Sequence, residues 1–185
     1  MMGTNFLNSN HTITINYCEI VCNLIFDTQG IRNCMDSKYL FDLAISYARP
    51  DEEFALKIFN GLSGEFKVFC DINQYELLVC KYLHEILYDV FYRQAEFALM
   101  IISSSYMSSP HTMWEARNII AKSIDNKNNR YFIISDGTVG HKEICEKLFI
   151  PENDYLFYDK NLAEDNIENL FKILRQRIKK NRNNS

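Results

Sequence analysis

Residues 97–102 (FALMII) form a run of six without a single polar side chain. That is far short of the roughly 20 residues needed to cross a bilayer. The run also lacks the polar-apolar alternation of a strand with one wet face, so it reads as a strand buried on both sides, the centre of a parallel sheet. Parallel strands need helical crossovers, and the flanking sequence supplies them. From about residue 39 onward, strand-like and helix-like segments alternate. The spacing predicts strands over 39–46, 66–70, 97–102, 131–135 and 155–158. Helices are predicted from near Asp51, over 76–93, 110–123 and 141–148, and over 164–180. Ala55, Ile58, Phe59 and Leu62 give the first helix its apolar stripe, with Gly61 and Gly64 bracketing its end. Ser109-Pro110 reads as an N-cap followed by proline at the first helical position. Ile167, Leu170, Phe171, Leu174 and Ile178 form the clearest helical face in the chain. The expected fold class is therefore α/β, a flavodoxin-like three-layer sandwich around a central, mainly parallel five-stranded sheet.

Residues 1–38 do not join this alternation. Ile13, Ile15 and Tyr17 recur as in a strand, whereas Ile20, Val21, Leu24 and Ile25 recur as in a helix. They carry enough apolar surface to be an N-terminal extension that either packs on the domain or makes an oligomer contact. The main domain is read as 39–180, with a polar tail at 181–185.

Composition narrows the function classes. The 185 residues contain 20 basic and 24 acidic side chains, a net charge of -4, so no global positive field favours nucleic acid or an anionic membrane. The local cluster Arg175, Arg177, Lys179, Lys180 and Arg182 fits a solvated helix C-terminus, where cations suit the helix dipole. No segment reads as membrane-spanning, and the polar N-terminus lacks the charged and apolar regions of an export signal, so a cytoplasmic location is expected. The six cysteines contain no CxxC pair and read as reduced thiols. Cys18 and Cys22 have no second Cys/His pair at zinc spacing, and no metal is expected.

GxxxxGK[ST], GxGxxG and GxSxG are all missing, and His84-Glu85 lacks the second histidine of HExxH because Tyr occupies position 88. Open α/β sheets bind ligands at the carboxyl ends of their strands. The residues just after the predicted strands are Ser46, Tyr47 and Arg49, then Asp71 and Asn73, then 103–106, followed by the helix bearing His111, Trp114 and Glu115. Polar, aromatic and acidic groups converge on that rim.

At this rim four segments resemble a known family. FDLAISYARPDEEFALKIFNGL (41–62), VFCD (68–71), ELLVCKYLHEIL (76–87) and FALMIISSSYMSSPHTMWEARNIIA (97–121) are similar to the Toll/interleukin-1 receptor (TIR) domain, more closely to its bacterial members. The resemblance covers about 39–180 and is specific through the first three strands. It implies an NAD+ nucleosidase or ADP-ribosyl cyclase that takes NAD+ as substrate and needs no cofactor. Glu115 would be the catalytic carboxylate, nine residues after Tyr106. Ser46, Tyr47, Arg49, Asp71, Tyr82, Tyr106, His111 and Trp114 would contact substrate, with Tyr82 packing on nicotinamide. The products would be nicotinamide and ADP-ribose, or a cyclised derivative, in bacterial antiphage defence. Implied partners are further copies through TIR surfaces and a partner effector or sensor, with no nucleic acid or membrane. Two positions differ from the family pattern. His111 stands where Trp is frequent, with Trp at 114, and Cys80 replaces a glycine of the loop after the second strand.

The residues by themselves allow plainer readings. A helical wheel puts Met113, Ala116, Ile120 and Ile124 on the buried stripe and Glu115 opposite, with Lys122, as solvated charges. Arg49 reads as a surface residue, Tyr82 as part of an amphipathic helix, and Asp71 as a loop cap. Trp114 and His111 fit packing or capping as well as ligand contact, and Ser103, Ser104 and Ser105 fit a cap and turn. Two other functions remain open, a non-catalytic TIR adaptor acting by homotypic assembly and a nucleoside deoxyribosyltransferase-like enzyme.

Overall fold

The computed structural model describes residues 38–71, 83–126, 130–152, 156–159 and 166–183. By backbone contact the chain divides between Lys38 and Tyr39. Among the described residues the second unit holds five strands, β1 (Phe41–Tyr47), β2 (Val68–Phe69), β3 (Ala95–Ile102), β4 (Tyr131–Ser135) and β5 (Leu156–Asp159). Its helices are α1 (Glu52–Leu62), α2 (Leu83–Tyr88), α3 (Ser104–Ser108), α4 (Pro110–Asp125), α5 (His141–Leu148) and α6 (Ile167–Asn183). A short 3-10 turn, Arg49–Asp51, leads from β1 into α1, and a wide π-type turn, Asp89–Gln94, leads from α2 into β3.

All strand pairs are parallel, in the order β2-β1-β3-β4-β5. The apolar run predicted this centre: every residue of β3 is buried, and β3 pairs with β1 from Phe41–Ala95 to Tyr47–Ile101. The order reverses direction between β1 and β3, which is where sheets of this order open a ligand crevice at their carboxyl ends.

Strand alternation sorts side chains between two faces. Leu43, Ile45, Phe97, Leu99 and Ile101 join Phe54, Ala55, Ile58 and Leu62 of α1 and Leu170, Phe171, Leu174 and Ile178 of α6 in one core. The intervening positions, Ser46 among them, fall on the opposite face. Burying one such aliphatic side chain stabilises by about 1.5–3 kcal/mol, so the core fixes the register that aims Ser46.

The predicted second strand, 66–70, shrinks to Val68–Phe69, because as an edge strand it pairs only through Leu43–Val68 and Ala44–Phe69. Gly61 and Gly64 bracket the end of α1 at Leu62 as predicted, and a Cβ on Gly61 would overlap the Phe171 ring. The role of Gly61 is the close approach of α1 and α6. Ser103 caps an additional helix, α3, by accepting from the Tyr106 amide at 3.2 Å. Ser109 accepts from the Thr112 amide with Pro110 at the first helical position, as the sequence predicts. Among the described residues no helix is long and apolar enough to cross a membrane.

Candidate active site

β1 ends by presenting successive side chains to opposite faces. Ser46 turns toward α4 and Tyr47 toward α1. Ser46 Oγ donates to Glu115 Oε2 at 2.6 Å and lies 2.7 Å from the Tyr106 hydroxyl. A serine hydroxyl has one proton. With that proton given to Glu115, Tyr106 must donate to Ser46, and the three groups form a directed chain from Tyr106 through Ser46 to Glu115. Tyr106 is fully enclosed, Ser46 is 1% exposed and Glu115 is 7% exposed. Tyr106 is thus buried beneath Ser46 and does not line the open rim. Thr112 Oγ1 donates to the Tyr106 carbonyl at 2.5 Å, fixing the first turn of α4 against α3.

The helical-wheel reading of α4 holds for Ala116 and Ile120 but fails for its charged residues and its end. Glu115 and Lys122 are buried, whereas Ile124, assigned to the buried stripe, is 68% exposed. The face that α4 packs inward runs through Thr112, Glu115, Ala116, Ile119, Ile120, Lys122 and Ser123. It is half polar, so counting hydrophobic residues places its centre wrongly.

Burial disfavours the charged form of a carboxyl group. It pushes the Glu115 pKa up to about 8, the Ser46 hydrogen bond pulls it back, and the nearby negative charge of Asp71 raises it further. Burial, and then the Glu115 charge, hold the Tyr106 hydroxyl well above its ordinary range, while the Ser46 bond pulls it down. On the other face Tyr47 hydrogen-bonds Asp71. Burial is the main reason Tyr47 is raised, with Asp71 adding to it. Asp71 is raised by burial, lowered by the Tyr47 bond and raised by Glu52. Its Oδ1 is buried without a hydrogen-bond partner among the described residues.

The predicted residues thus form two groups, Ser46–Tyr106–Glu115 and Tyr47–Asp71, coupled through the charges of Asp71 and Glu115. Arg49 and His111 are exposed at the beginnings of the 3-10 turn and of α4. Trp114 turns toward α2, with its ring 6.4 Å from that of Tyr88. Tyr82 and Cys80 lie outside the described residues. Sequence reasoning missed the link from Ser103 Oγ to Asp51 Oδ2, 2.7 Å, which ties the turn after β1 to the end of β3. The available signal was a serine at a strand end and an acid at the start of the next helix. Among the described residues no group of three or more His, Cys, Asp or Glu side chains is arranged to hold a metal.

The parallel sheet thus carries a buried carboxylate beside the switch point between β1 and β3. The family model described as "TIR domain" matches residues 43–168, more than half of the chain, and the chain belongs to the TIR-domain family. Its fold is similar to the crystal structure of the TIR domain of the Toll-related receptor TRR-2 from Hydra magnipapillata. That match has a TM-score of 0.52 at 16% identity, covering 73% of this chain and 98% of the Hydra chain. Comparison with curated proteins finds no match.

Proposed function

We propose that this TIR domain is an NAD+ nucleosidase of the bacterial type, cleaving the bond between nicotinamide and ribose. The reading rests mainly on one observation, a buried carboxylate, Glu115, held by Ser46 at the carboxyl end of the central strands. Nicotinamide is bound as a cationic pyridinium and departs neutral, so no acid has to protonate it, unlike the leaving group of an ordinary glycoside. The demand is for negative charge beside the ribose as oxocarbenium character develops, and a fixed carboxylate in a dry site meets it. Ser46 and Tyr106 orient that carboxylate. Asp71, on the other face of β1, acts on Glu115 through its charge. Water attacking the ribose carbon gives ADP-ribose, and attack by the adenine of the same molecule gives a cyclic product. Antiphage defence in the cytoplasm, self-association, and a partner effector or sensor complete the proposal. Arg49, His111 and Trp114 would bind nucleotide only if substrate reaches the surface they occupy.

A second reading draws on the same burial. Glu115 is already enclosed and hydrogen-bonded, which suits a structural acid in an adaptor that works by assembly. Incubating the whole chain and its Glu115→Ala variant with NAD+ at high protein concentration separates the two. The enzyme reading expects nicotinamide and a separable nucleotide product from the wild type only. If the wild type assembles but releases no nicotinamide, the adaptor reading replaces it.

A further inference from the structure

Trp114 and Glu115 are neighbours on α4 but serve different places. While Glu115 faces Ser46, Trp114 forms one wall of a separate cavity of about 350 Å³ lined by Glu85, Tyr88, Asp89, Arg93 and Trp114. The Tyr88 and Trp114 rings are inclined at 51° and both line this cavity. Tyr92 stacks on Tyr88 at 5.0 Å and 12°, and its hydroxyl is tied to Asp125, so the Tyr88 wall is held in place. A cavity of about 150 Å³ is enough to admit benzene, and this one is larger.

Its charges are uneven. Arg93 is paired with Asp89 at 3.1 Å and lies over the Tyr88 ring at 5.5 Å. One of the two carboxylates is thereby neutralised, and a delocalised cation already rests on one aromatic wall. Glu85 is exposed and has no ion pair among the described residues. That leaves the Glu85 carboxylate without an ion pair among the described residues, in a cavity that Trp114 also lines. Aromatic faces carry negative electrostatic potential and bind weakly hydrated cations, tryptophan most strongly.

We propose that the Glu85–Tyr88–Trp114 cavity is a binding site for an organic cation whose charge is spread over an apolar body, either a methylated ammonium or a pyridinium. The site is independent of catalysis at Glu115. Glu85 supplies the net charge, Trp114 the recognition face, and the Tyr88–Tyr92 stack the rigidity.

Trp114 is the single tryptophan of the chain, so its indole N–H is one identifiable resonance. The nitrogen-15-labelled full chain is titrated at constant ionic strength with tetramethylammonium, with 1-methylnicotinamide, and with neutral 2,2-dimethylpropanol. The expected result is a saturable shift of the indole resonance with a cation, and affinity about five-fold weaker or worse for the neutral compound. Glu85→Gln, at an exposed position that leaves the rest of the spectrum in place, should weaken cation binding several-fold and leave the neutral compound unaffected. Tighter binding of tetramethylammonium assigns the methylated-ammonium source, and tighter binding of 1-methylnicotinamide the pyridinium source. A shift that never saturates, equal affinity for the neutral compound, or unchanged cation binding by Glu85→Gln overturns the proposal.

Discussion

Helix α4 buries two charged side chains, Glu115 near its start and Lys122 two turns later, and their surroundings differ. The Lys122 amine donates to the Ala95 carbonyl and lies 4.9 Å from the centre of the Tyr39 ring. Beside it Arg130 pairs with Glu96 at 3.3 Å and also lies over Tyr39. There cation meets carbonyl, carboxylate and ring. Glu115 receives one hydroxyl hydrogen bond, and its charged neighbour, Asp71, is another acid. A buried charge that is answered by its surroundings is part of the scaffold. One that is left poorly answered in a crevice is a candidate for chemistry.

The largest expected effect comes from removing the carboxylate at the unanswered end. Glu115→Ala should lower kcat for nicotinamide release by about 10²-fold or more, the range for losing one preorganised electrostatic group. Circular dichroism should show the variant folded. At the answered end, Glu96→Ala strands Arg130 in a site where both side chains are nearly buried. It should destabilise by about 3 kcal/mol, read by urea denaturation, with activity per folded molecule retained. Equal loss of activity in the two variants would erase the distinction between the ends.

Stability against pH sharpens the comparison further. The folded pKa of Glu115, about 8, lies above the 4.5 of an unperturbed glutamate. The unfolded chain therefore releases this proton first. The stabilisation from keeping Glu115 neutral is fully present below about pH 4.5 and is lost as pH rises toward 8. Glu115→Gln should remove that slope and leave the variant more stable near neutrality, by on the order of a few kcal/mol, read by thermal melts from pH 5 to 9. The smallest effect is expected at the hydroxyl between the two groups. Ser46→Ala strands the buried Tyr106 hydroxyl, costing about 1–3 kcal/mol. It also removes the bond that holds the Glu115 pKa down, so any pH-rate profile should move upward.

The scaffold was legible because apolar runs and helical periods dominate it. β4 and α5 fall where the spacing places them, and the burial of β3 follows from six apolar residues in sequence. The site was legible only in part. Family resemblance singled out Glu115 and Ser46, but periodicity put Glu115 in solvent, because α4 packs threonine, glutamate, lysine and serine inward. Periodicity reports where hydrophobic residues lie and is blind to polar groups that the fold buries with partners from distant strands. Ser46 and Glu115 are 69 residues apart, and no local pattern encodes their contact. Trp114 faces away from Glu115 for a similar reason, since adjacent helix positions diverge by about 100°.

The most direct test is kcat/KM for nicotinamide release from NAD+ between pH 5.5 and 9.5. In the proposed reaction Glu115 acts as the carboxylate, so the wild-type rate should climb with pH and level off above about 8. Glu115→Gln should show almost no rate at any pH. A wild-type rate that stays flat from pH 6 to 9, or a Glu115→Gln variant that keeps the wild-type rate, would contradict the assignment of Glu115 as the catalytic carboxylate.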